Sequence, residues 1–345
     1  MPILSCAVFS IIKNKLTIKT SDLEQTIVSE SKISDERNGS VALPLNKLLE
    51  IVSALPDEKV RFSVNEDYLV EINNNQGTYK ITGRSSDEFP ETPTVNQKEE
   101  VVLMGKEILN IIKKTSHAVS RDDLKPALCG VYLNLEKNNI TTVATDGHKL
   151  VKFTKKTNTN IANKTSLIIP LKFLNILKDN IEENKKVKLS VGENHLLTQQ
   201  NDRVIISRII KENFPDFNSV IPNDNTIKVE IEVEKIISSI KRVSIFSNKT
   251  TKQIVLTFNS NGVAVSAQDP ETSTSAKEHA ECVYSGEEIT ASYNAKYLIE
   301  VLQNIGFKKA NIYLKSSLTA AVFEPQKNKE EEELVALLMP MRLNQ

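Results

Sequence analysis

The pair Asp146 and His148, on either side of Gly147, is the feature of this sequence that comes closest to catalytic chemistry. A histidine next to an aspartate could serve a hydrolase as its general base, which would make these two residues the catalytic pair. The same stretch also fits a plain turn, because a strand-like run ends at Asp146, aspartate tolerates turn geometry and glycine supplies a positive φ. Both interpretations stay open at this point.

Two further aspartates stand in equivalent places along the chain. Asp22 and Asp269 also end strand-like runs, and the steps from Asp22 to Asp146 and on to Asp269 are both about 124 residues. A hydrolase could use them as extra carboxylates only if they met at one substrate. Equivalent positions of successive repeats are instead spread around an assembly, whereas acid–base catalysis requires hydrogen-bond reach. The repeat therefore favours the turn.

More patterns recur with nearly the same period. A proline returns at steps of 125 residues, at Pro90, Pro215 and Pro340. Helical patterns with one apolar face cover 44–56, 170–181 and 293–309. Another such pattern covers 106–117 and 234–246, and its first copy would fall before Met1. We therefore expect the first repeat to lack one strand and one helix at its start.

The segments between the helical patterns have β character. Runs rich in β-branched residues lie at 60–64, 79–82, 186–190, 204–207, 254–258 and 311–314. The sequence predicts an α+β fold of three repeated domains, each with two helices packed on antiparallel sheet. The expected domains are 1–98 (domain I, truncated at its N-terminus), 99–226 (domain II) and 227–345 (domain III).

The composition excludes several classes of protein. The chain of 345 residues has 44 basic and 44 acidic side chains, so a nucleic acid would have to meet a local basic face. Its 3 cysteines and 4 histidines have no metal-ligand spacing, so we expect no metal, no cofactor and no disulfide. No apolar run is long enough for a membrane span, no phosphate-binding loop occurs, and a cytoplasmic location is expected.

Several motifs are shared with a known family. They are Ala144-Thr145-Asp146-Gly147-His148-Lys149-Leu150, Met339-Pro340-Met341-Arg342-Leu343 and the shorter segments 120–126, 214–217 and 283–286. With these motifs and the threefold repeat, the chain resembles the bacterial β sliding clamps, the processivity subunits of replicative DNA polymerases. The resemblance covers essentially the whole chain from Met1.

The resemblance implies a fold and a function. Members of this family form head-to-tail homodimers that close a ring of six domains around duplex DNA, with sheets outside and helices inside. A ring that slides must attract phosphates without reading bases. The implied role is that of a non-catalytic accessory subunit of the DNA polymerase III holoenzyme. The implied partners are duplex DNA, the replicative polymerase α subunit, the clamp loader and other proteins with a clamp-binding motif.

A pocket that docks short peptides of partner proteins is also implied. By motif match, its lining would be Leu128, Thr145, Gly147, His148, Lys149, Leu150, Pro215, Val220, Leu337, Leu338, Met339, Pro340, Met341 and Arg342. Apolar side chains and adaptable methionines suit a groove that accepts several sequences. Ser219 and Lys149 stand where the family often has arginine, so the polar rim is expected to differ.

Basic residues on or beside the helical segments are the implied DNA contacts, and these segments carry a basic excess although the whole chain is neutral. The residues are Lys47, Lys106, Lys113, Lys114, Arg121, Lys125, Lys172, Lys235, Lys241, Arg242 and Lys296. Ordinary solvated helix faces would also explain such lysines.

For the ring interface, Ile245 and Phe246 match the apolar pair that packs on the neighbouring subunit around Tyr79 and Ile81, with Lys47 nearby. These residues could equally belong to the cores of their own domains.

Two alternatives to a ring-forming clamp stay open. A first repeat without its opening strand and helix could prevent ring closure and leave a peptide-binding adaptor that forms no ring. The other alternative is the hydrolase that uses Asp146 and His148.

Overall fold

The computed structural model describes residues 1–34, 37–96, 98–159, 161–284 and 286–342. Their secondary structure repeats one order of elements. In the second and third repeats a strand leads into an α-helix, a meander of strands follows, and a second helix leads into three last strands. The described residues of the first repeat begin with the meander, so the opening strand and helix have no counterpart there.

The first repeat has one α-helix in its described residues. After a short 3-10 turn at Pro2–Ser5, its elements are β1 (Cys6–Ile12), β2 (Lys15–Ser21), β3 (Gln25–Lys32), β4 (Gly39–Pro44), α1 (Leu45–Ala54), β5 (Arg61–Val64), β6 (Leu69–Asn73) and β7 (Thr78–Thr82).

The second repeat has both helices and two short 3-10 turns, Ser116–Ala118 and Pro126–Leu128. Its elements are β8 (Glu99–Met104), α2 (Gly105–Thr115), β9 (Gly130–Glu136), β10 (Asn139–Thr145), β11 (Lys149–Lys156), β12 (Thr165–Pro170), α3 (Leu171–Asn180), β13 (Lys186–Val191), β14 (His195–Gln200) and β15 (Arg203–Arg208).

The third repeat follows the same order, with one additional short strand and a 3-10 turn at Ser244–Phe246. Its elements are β16 (Ile227–Glu232), α4 (Val233–Val243), β17 (Gln253–Asn259), β18 (Gly262–Asp269), β19 (Thr274–Ala280), β20 (Cys282–Tyr284), β21 (Ile289–Asn294), α5 (Ala295–Ile305), β22 (Lys309–Leu314), β23 (Ala321–Pro325) and β24 (Glu332–Leu338).

Two large antiparallel sheets each combine strands of neighbouring repeats. One has 8 strands in the order β4-β1-β2-β3-β15-β14-β13-β8, and the other has 9 in the order β12-β9-β10-β11-β24-β23-β22-β16-β20. In both, the third strand of one meander pairs with the last strand of the next repeat, as β3 does with β15 and β11 with β24. The other strands form two smaller sheets, β19-β18-β17-β21 and β5-β6-β7.

The chain folds into two compact units. The first contains Met1–Gly105 and Ile181–Ile209, and the second contains Lys106–Asn180 and Ile210–Gln345. The units cut across the repeats because the second repeat gives β8 and β13–β15 to one large sheet and β9–β12 to the other. This division does not test the domain boundaries expected after residues 98 and 226, which stay a prediction.

One apolar core of the first unit lies beneath α1, the only α-helix among its described residues. Val41 and Leu43 of β4, Leu48 of α1, and Val70 and Ile72 of β6 are buried together. Leu48 is buried as the helical pattern over 44–56 predicts, whereas Leu49 and Val52 of the same pattern are 52% and 47% exposed.

Helices of the second unit bury the apolar faces that their sequences predict. In α5 the buried residues Leu298, Val301 and Leu302 have the spacing of one helix face. The helix starts where Asn294 accepts hydrogen bonds from two backbone N–H groups, and it ends before Gly306, whose φ of 75° is left-handed. It is therefore shorter than the predicted 293–309, because glycine at this position ends a helix. None of the helices in the described ranges combines the length and the apolar character that crossing a membrane requires.

Candidate functional site

The stretch between β10 and β11 is a tight turn held by its own side chains. Asp146 Oδ1 accepts hydrogen bonds from the backbone N–H groups of His148 and Lys149, both at 2.9 Å. Thr145 Oγ1 accepts one from the Gly147 N–H at 3.1 Å and donates one to the Lys149 carbonyl at 2.7 Å. Gly147 has a φ of 88°, which glycine adopts without strain. The residue types therefore close the turn locally.

The equivalent aspartates of the other two repeats also accept hydrogen bonds from backbone N–H groups of the residues that follow them. Asp22 Oδ1 accepts from the backbone N–H groups of Glu24 and Gln25 at 3.0 and 2.6 Å. Asp269 Oδ1 accepts from the Glu271 N–H at 3.2 Å. A carboxylate that satisfies backbone donors at the end of the equivalent strand in all three repeats has a structural role. The turn interpretation of Asp146 is thus the better one.

The neighbouring histidine is engaged with an aromatic ring. The ring of His148 stacks on Tyr297 of α5, with centroids 5.8 Å apart and planes 19° apart. In the described residues, no group of three or more His, Cys, Asp or Glu side chains is arranged to hold a metal ion.

Residues 339–342, called the chain end below, run alongside the residues that follow this turn. The N–H of Met339 donates to the His148 carbonyl at 2.8 Å. Two residues later, the Met341 N–H donates to the Ser292 carbonyl at 2.8 Å, and Ser292 Oγ donates to the Met341 carbonyl at 2.7 Å. The segment thus passes from the end of β24 to β21. Leu343, the last residue of the shared motif, and Ser285, in segment 283–286, lie outside the described residues.

Apolar side chains form a floor beside the turn and the chain end. Leu150 of β11, Leu337 of β24 and Val143 of β10 are buried in one cluster. Phe214 and Ile221, from the segment that precedes β16, pack against it. The arrangement is an apolar surface bordered by a rigid turn, an extended chain end and a connecting segment.

The residues predicted to line the peptide pocket differ widely in exposure. The exposed ones are Gly147, His148, Pro215, Val220, Met339 and Arg342. The half-buried ones are Leu128, Pro340 and Met341. The buried ones are Thr145, Lys149, Leu150, Leu337 and Leu338. Only the exposed and the half-buried residues can contact a ligand without rearrangement. The buried apolar residues form the floor beneath them.

Lys149 differs most from its predicted position in the pocket rim. Its side chain is 5% exposed and forms ion pairs with Asp146, at 3.5 Å, and with Glu300 of α5. Its Nζ also lies 4.7 Å from the centroid of the Tyr297 ring. Burial, followed by the Lys149 charge, lowers the pKa of His117 to about 4, so this imidazole is neutral at pH 7.

One of the predicted DNA contacts lies inside the protein. Lys114 is 8% exposed, and its Nζ donates to the carbonyls of Asn304 and Ile305 at 3.0 and 2.5 Å. These carbonyls belong to the last turn of α5, where carbonyl groups lack helical partners. Lys114 is therefore unsuited to phosphate contact, unlike the exposed Lys106 and Lys113 of the same helix.

Two of the basic residues of α4, Lys235 and Arg242, are exposed but already paired. Lys235 Nζ lies 3.1 Å from Glu232 and 3.5 Å from Glu281. Arg242 makes a two-pronged contact with Glu278, at 2.8 Å from Nε and 2.7 Å from Nη2. These acidic partners reduce the positive field that a phosphate would meet.

Other predicted DNA contacts have exposed side chains: Lys47, which pairs with Glu50 at 2.9 Å, and Arg121, Lys125, Lys172, Lys241 and Lys296.

The four apolar residues predicted for the ring interface fall into two classes. Ile245 is 77% exposed, and Phe246 and Tyr79 are 39% and 38% exposed. Ile81 is only 7% exposed and packs in the core beneath α1. The prediction for Ile81 as a contact residue lacks structural support because the side chain faces its own domain.

Two residues of α5 were missed at the predicted pocket. Tyr297 and Glu300 are one helical turn apart and hold His148 and Lys149, respectively. Tyr297 falls within the helical pattern predicted over 293–309, which has one apolar face. The sequence signal for their role is the three-residue spacing of an aromatic and an acidic residue on one helix. The residues that they contact, His148 and Lys149, lie about 150 residues away in sequence, so no local pattern predicts these contacts.

Three family models match the chain in sequence. The models of the N-terminal, central and C-terminal domains of the DNA polymerase III beta subunit match residues 1–93, 102–216 and 218–342. The beta sliding clamps of Vibrio cholerae and Haemophilus influenzae are 24% and 26% identical to the chain, and each comparison covers 99% of the chain and 93% of the relative.

Solved structures share the fold. The DNA polymerase sliding clamp from Pseudomonas aeruginosa superposes with a TM-score of 0.95 at 23% identity, over 99% of this chain and 93% of that one. A sliding clamp from the same organism, bound to griselimycin, gives a TM-score of 0.94 at 22% identity, over 99% and 92%. These likenesses confirm the α+β clamp fold. With all three domain models matched in order along nearly the whole chain, the protein belongs to the DNA polymerase III beta subunit family, the beta sliding clamps.

Proposed function

We propose that this protein is a replication processivity clamp of the cytoplasm, which two copies close into a ring around duplex DNA. It is a non-catalytic subunit that tethers the replicative polymerase and other partners through an apolar peptide-docking groove. The observation that carries the proposal is the ordered match of the three beta-subunit domains across the chain. Domains I, II and III are assigned to residues 1–98, 99–226 and 227–345.

The sheet topology supports head-to-tail closure. Within the chain, the third strand of a meander pairs with the last strand of the next repeat, as β3–β15 and β11–β24 do. Two strands of the same kinds, β19 and β7, lie at edges of the smaller sheets in the described residues. Pairing β19 of one copy with β7 of another would apply the same rule between chains and give a closed dimer.

Exposed apolar residues stand beside these two edges. Ile245 and Phe246 lie in the 3-10 turn after α4, which contacts β18 and β19, and Tyr79 lies on β7. Burial of such side chains between copies would stabilise the interface. Lys47 stays in the proposed interface, whereas Ile81 is left out.

Exposed basic side chains of the helices are the proposed DNA contacts. Lys106 and Lys113 of α2 and the loop residues Arg121 and Lys125 offer exposed positive charge, which can meet phosphates whatever the base sequence. Such contacts attract the phosphate backbone and leave the ring free to slide.

The groove between the turn at Gly147 and the chain end is the proposed docking site for partner peptides. The exposed side chains of His148, Met339 and Val220 border a buried apolar floor. A short apolar peptide segment fits such a surface. The polymerase α subunit, the clamp loader and other proteins with a clamp-binding motif are the proposed partners.

Topological retention tests the function directly. Protein loaded by a clamp loader and ATP onto nicked circular DNA is expected to stay bound through gel filtration in high salt. Cutting the circle should release it, because a ring can slide off an end. Equal retention on circular and linear DNA would show ordinary binding and overturn the proposal.

A further inference from the structure

The buried ammonium group of Lys149 depends on one acidic residue from another repeat. Lys149 lies on β11, and its side chain reaches Glu300 of α5, whose side chain is 28% exposed. The second acidic neighbour is Asp146, whose Oδ2 lies farther from the ammonium group, at 3.5 Å, while its Oδ1 accepts two backbone hydrogen bonds in the turn. A buried charge that loses its partner is strongly destabilising. Glu300 therefore fixes where the Lys149 side chain can be.

The backbone of Lys149 is part of the turn that borders the groove. Its N–H donates to Asp146 and its carbonyl accepts from Thr145 Oγ1 at 2.7 Å. The residue before it, His148, offers the carbonyl that accepts the Met339 N–H at 2.8 Å. A continuous path of contacts thus runs from Glu300 through Lys149 and the turn to the first residue of the chain end.

The adjacent turn of α5 contributes a second contact to the same element. Tyr297, three residues before Glu300, stacks on the His148 ring and lies under the Lys149 ammonium. Consequently α5 holds the turn by an ion pair and by an aromatic surface. The groove border on β11 is then only as rigid as its attachment to this helix.

We propose that Glu300 is a positioning residue for the peptide-docking groove. It orients Lys149, and through the turn it sets the His148 carbonyl and Met339, while it does not contact the docked peptide itself. The inference rests on the proposed docking function of this groove. It assigns to α5 of the third repeat the control of a groove border that the second repeat supplies.

Peptide affinity in a mutant cycle tests this role. The probe is a synthetic peptide with the C-terminal sequence of the polymerase α subunit, measured by fluorescence anisotropy with the full-length protein. Glu300→Gln and Lys149→Met are each expected to weaken binding about tenfold, and the double variant no more than either one, because both remove the same contact. Glu234→Gln, an exposed glutamate of α4, is the matched control and should leave affinity unchanged.

A length-compensated pair separates positioning from general stability. Glu300→Asp shortens the acidic side chain by one methylene and should weaken binding. Adding Lys149→Arg lengthens the basic side chain and should restore most of the affinity, since the ion pair can form again. This pair also decides the question if Glu300→Gln fails to fold, as circular dichroism would show. Failure of the arginine variant to restore binding in a folded protein would overturn the inference.

The outcomes distinguish this inference from the function on which it rests. If the wild-type protein does not bind the peptide, or if Met339→Ala has no effect, the docking function itself fails. If the peptide binds and Met339→Ala weakens it while Glu300→Gln does not, docking stands and the positioning role of Glu300 is wrong.

Discussion

Lys114 lies in the last turn of α2, with its ammonium group at the carbonyl end of α5. There it donates to Asn304 and Ile305, and it lies 5.7 Å from the centroid of the Phe307 ring. A cation at this place satisfies carbonyls that the helix leaves open, and it is favoured by the helix dipole. The residue type suits DNA contact, but its surroundings assign it to the attachment of two helices.

The buried position of Lys114 predicts a pH dependence of stability. Burial lowers its pKa in the folded protein to about 8, from 10.5. Below about pH 8 Lys114 is protonated in both the folded and the unfolded state, and burial of its charge lowers the free energy of unfolding by the full amount. Above it the unfolded state binds more protons, so the contribution of Lys114 to the free energy of unfolding rises up to about pH 10.5.

We expect the urea midpoint of unfolding of the wild type, relative to that of Lys114→Met, to increase between pH 7.5 and pH 9.5. Lys106→Met, at an exposed lysine of the same helix, is the control, and its midpoint should stay parallel to that of the wild type. Parallel curves for Lys114→Met as well would contradict the assignment of this titration.

Among the secondary-structure elements, the equivalent strands β5 and β22 of the first and third repeats differ in how many neighbouring strands they have. β5 follows α1 as β22 follows α5, and their last residues are Val64 and Leu314. β16 covers the outer edge of β22, whereas β5 has only β6 as a partner in the described residues. Leu314 is accordingly 0% exposed and Val64 is 48% exposed.

This difference in burial predicts unequal costs for truncating the two side chains to alanine. Leu314→Ala should lower the free energy of unfolding by about 2–5 kcal/mol, because it leaves a cavity in a packed core. Val64→Ala should cost less than about 1 kcal/mol, because much of the side chain already meets water. Urea unfolding monitored by circular dichroism measures both. A cost for Val64→Ala as large as that for Leu314→Ala would mean that β5 is covered in solution.

The helices also differ in the charge they can offer to DNA. In the described ranges Lys113 of α2 has no ion-pair partner, whereas Lys235 of α4 has Glu232 and Glu281. Lys113→Ala is expected to reduce the salt dependence of duplex binding by about one unit of the log–log slope. Lys235→Ala should change it less. Equal slopes for both variants would show that ion pairing does not decide which lysines meet phosphate.

At the scale of the whole molecule, the proposed closure of a ring by two copies would depend on apolar surfaces that one chain leaves exposed. We expect the wild type to sediment as a species of twice 38.6 kDa and Ile245→Asp to sediment as a monomer of 38.6 kDa. A charge at this exposed apolar position would be buried without a partner in the dimer. Leu124→Asp, at a residue that is 90% exposed, is the control and should stay dimeric. A dimeric Ile245→Asp would place the interface elsewhere.

The sequence by itself determined the features that depend on local order. The predicted strands, the inward face of α5 and the turns at Asp22, Asp146 and Asp269 all follow from nearby residues. The period of about 125 residues follows from comparing such local patterns along the chain. A periodic apolar face and an Asx turn need only a few neighbours, so such features can be predicted along the chain.

Only the tertiary structure decided where long side chains point and which strands share a sheet. From the sequence, Lys149 and Lys114 resemble surface lysines. In the fold Lys149 contacts Glu300 and Lys114 contacts the end of α5, and each partner lies more than 150 residues away in sequence. Ile81 likewise turns inward because the core beneath α1 surrounds it. A lysine can extend to solvent or reach a buried partner at similar local cost, so its role is set by contacts that no local pattern contains.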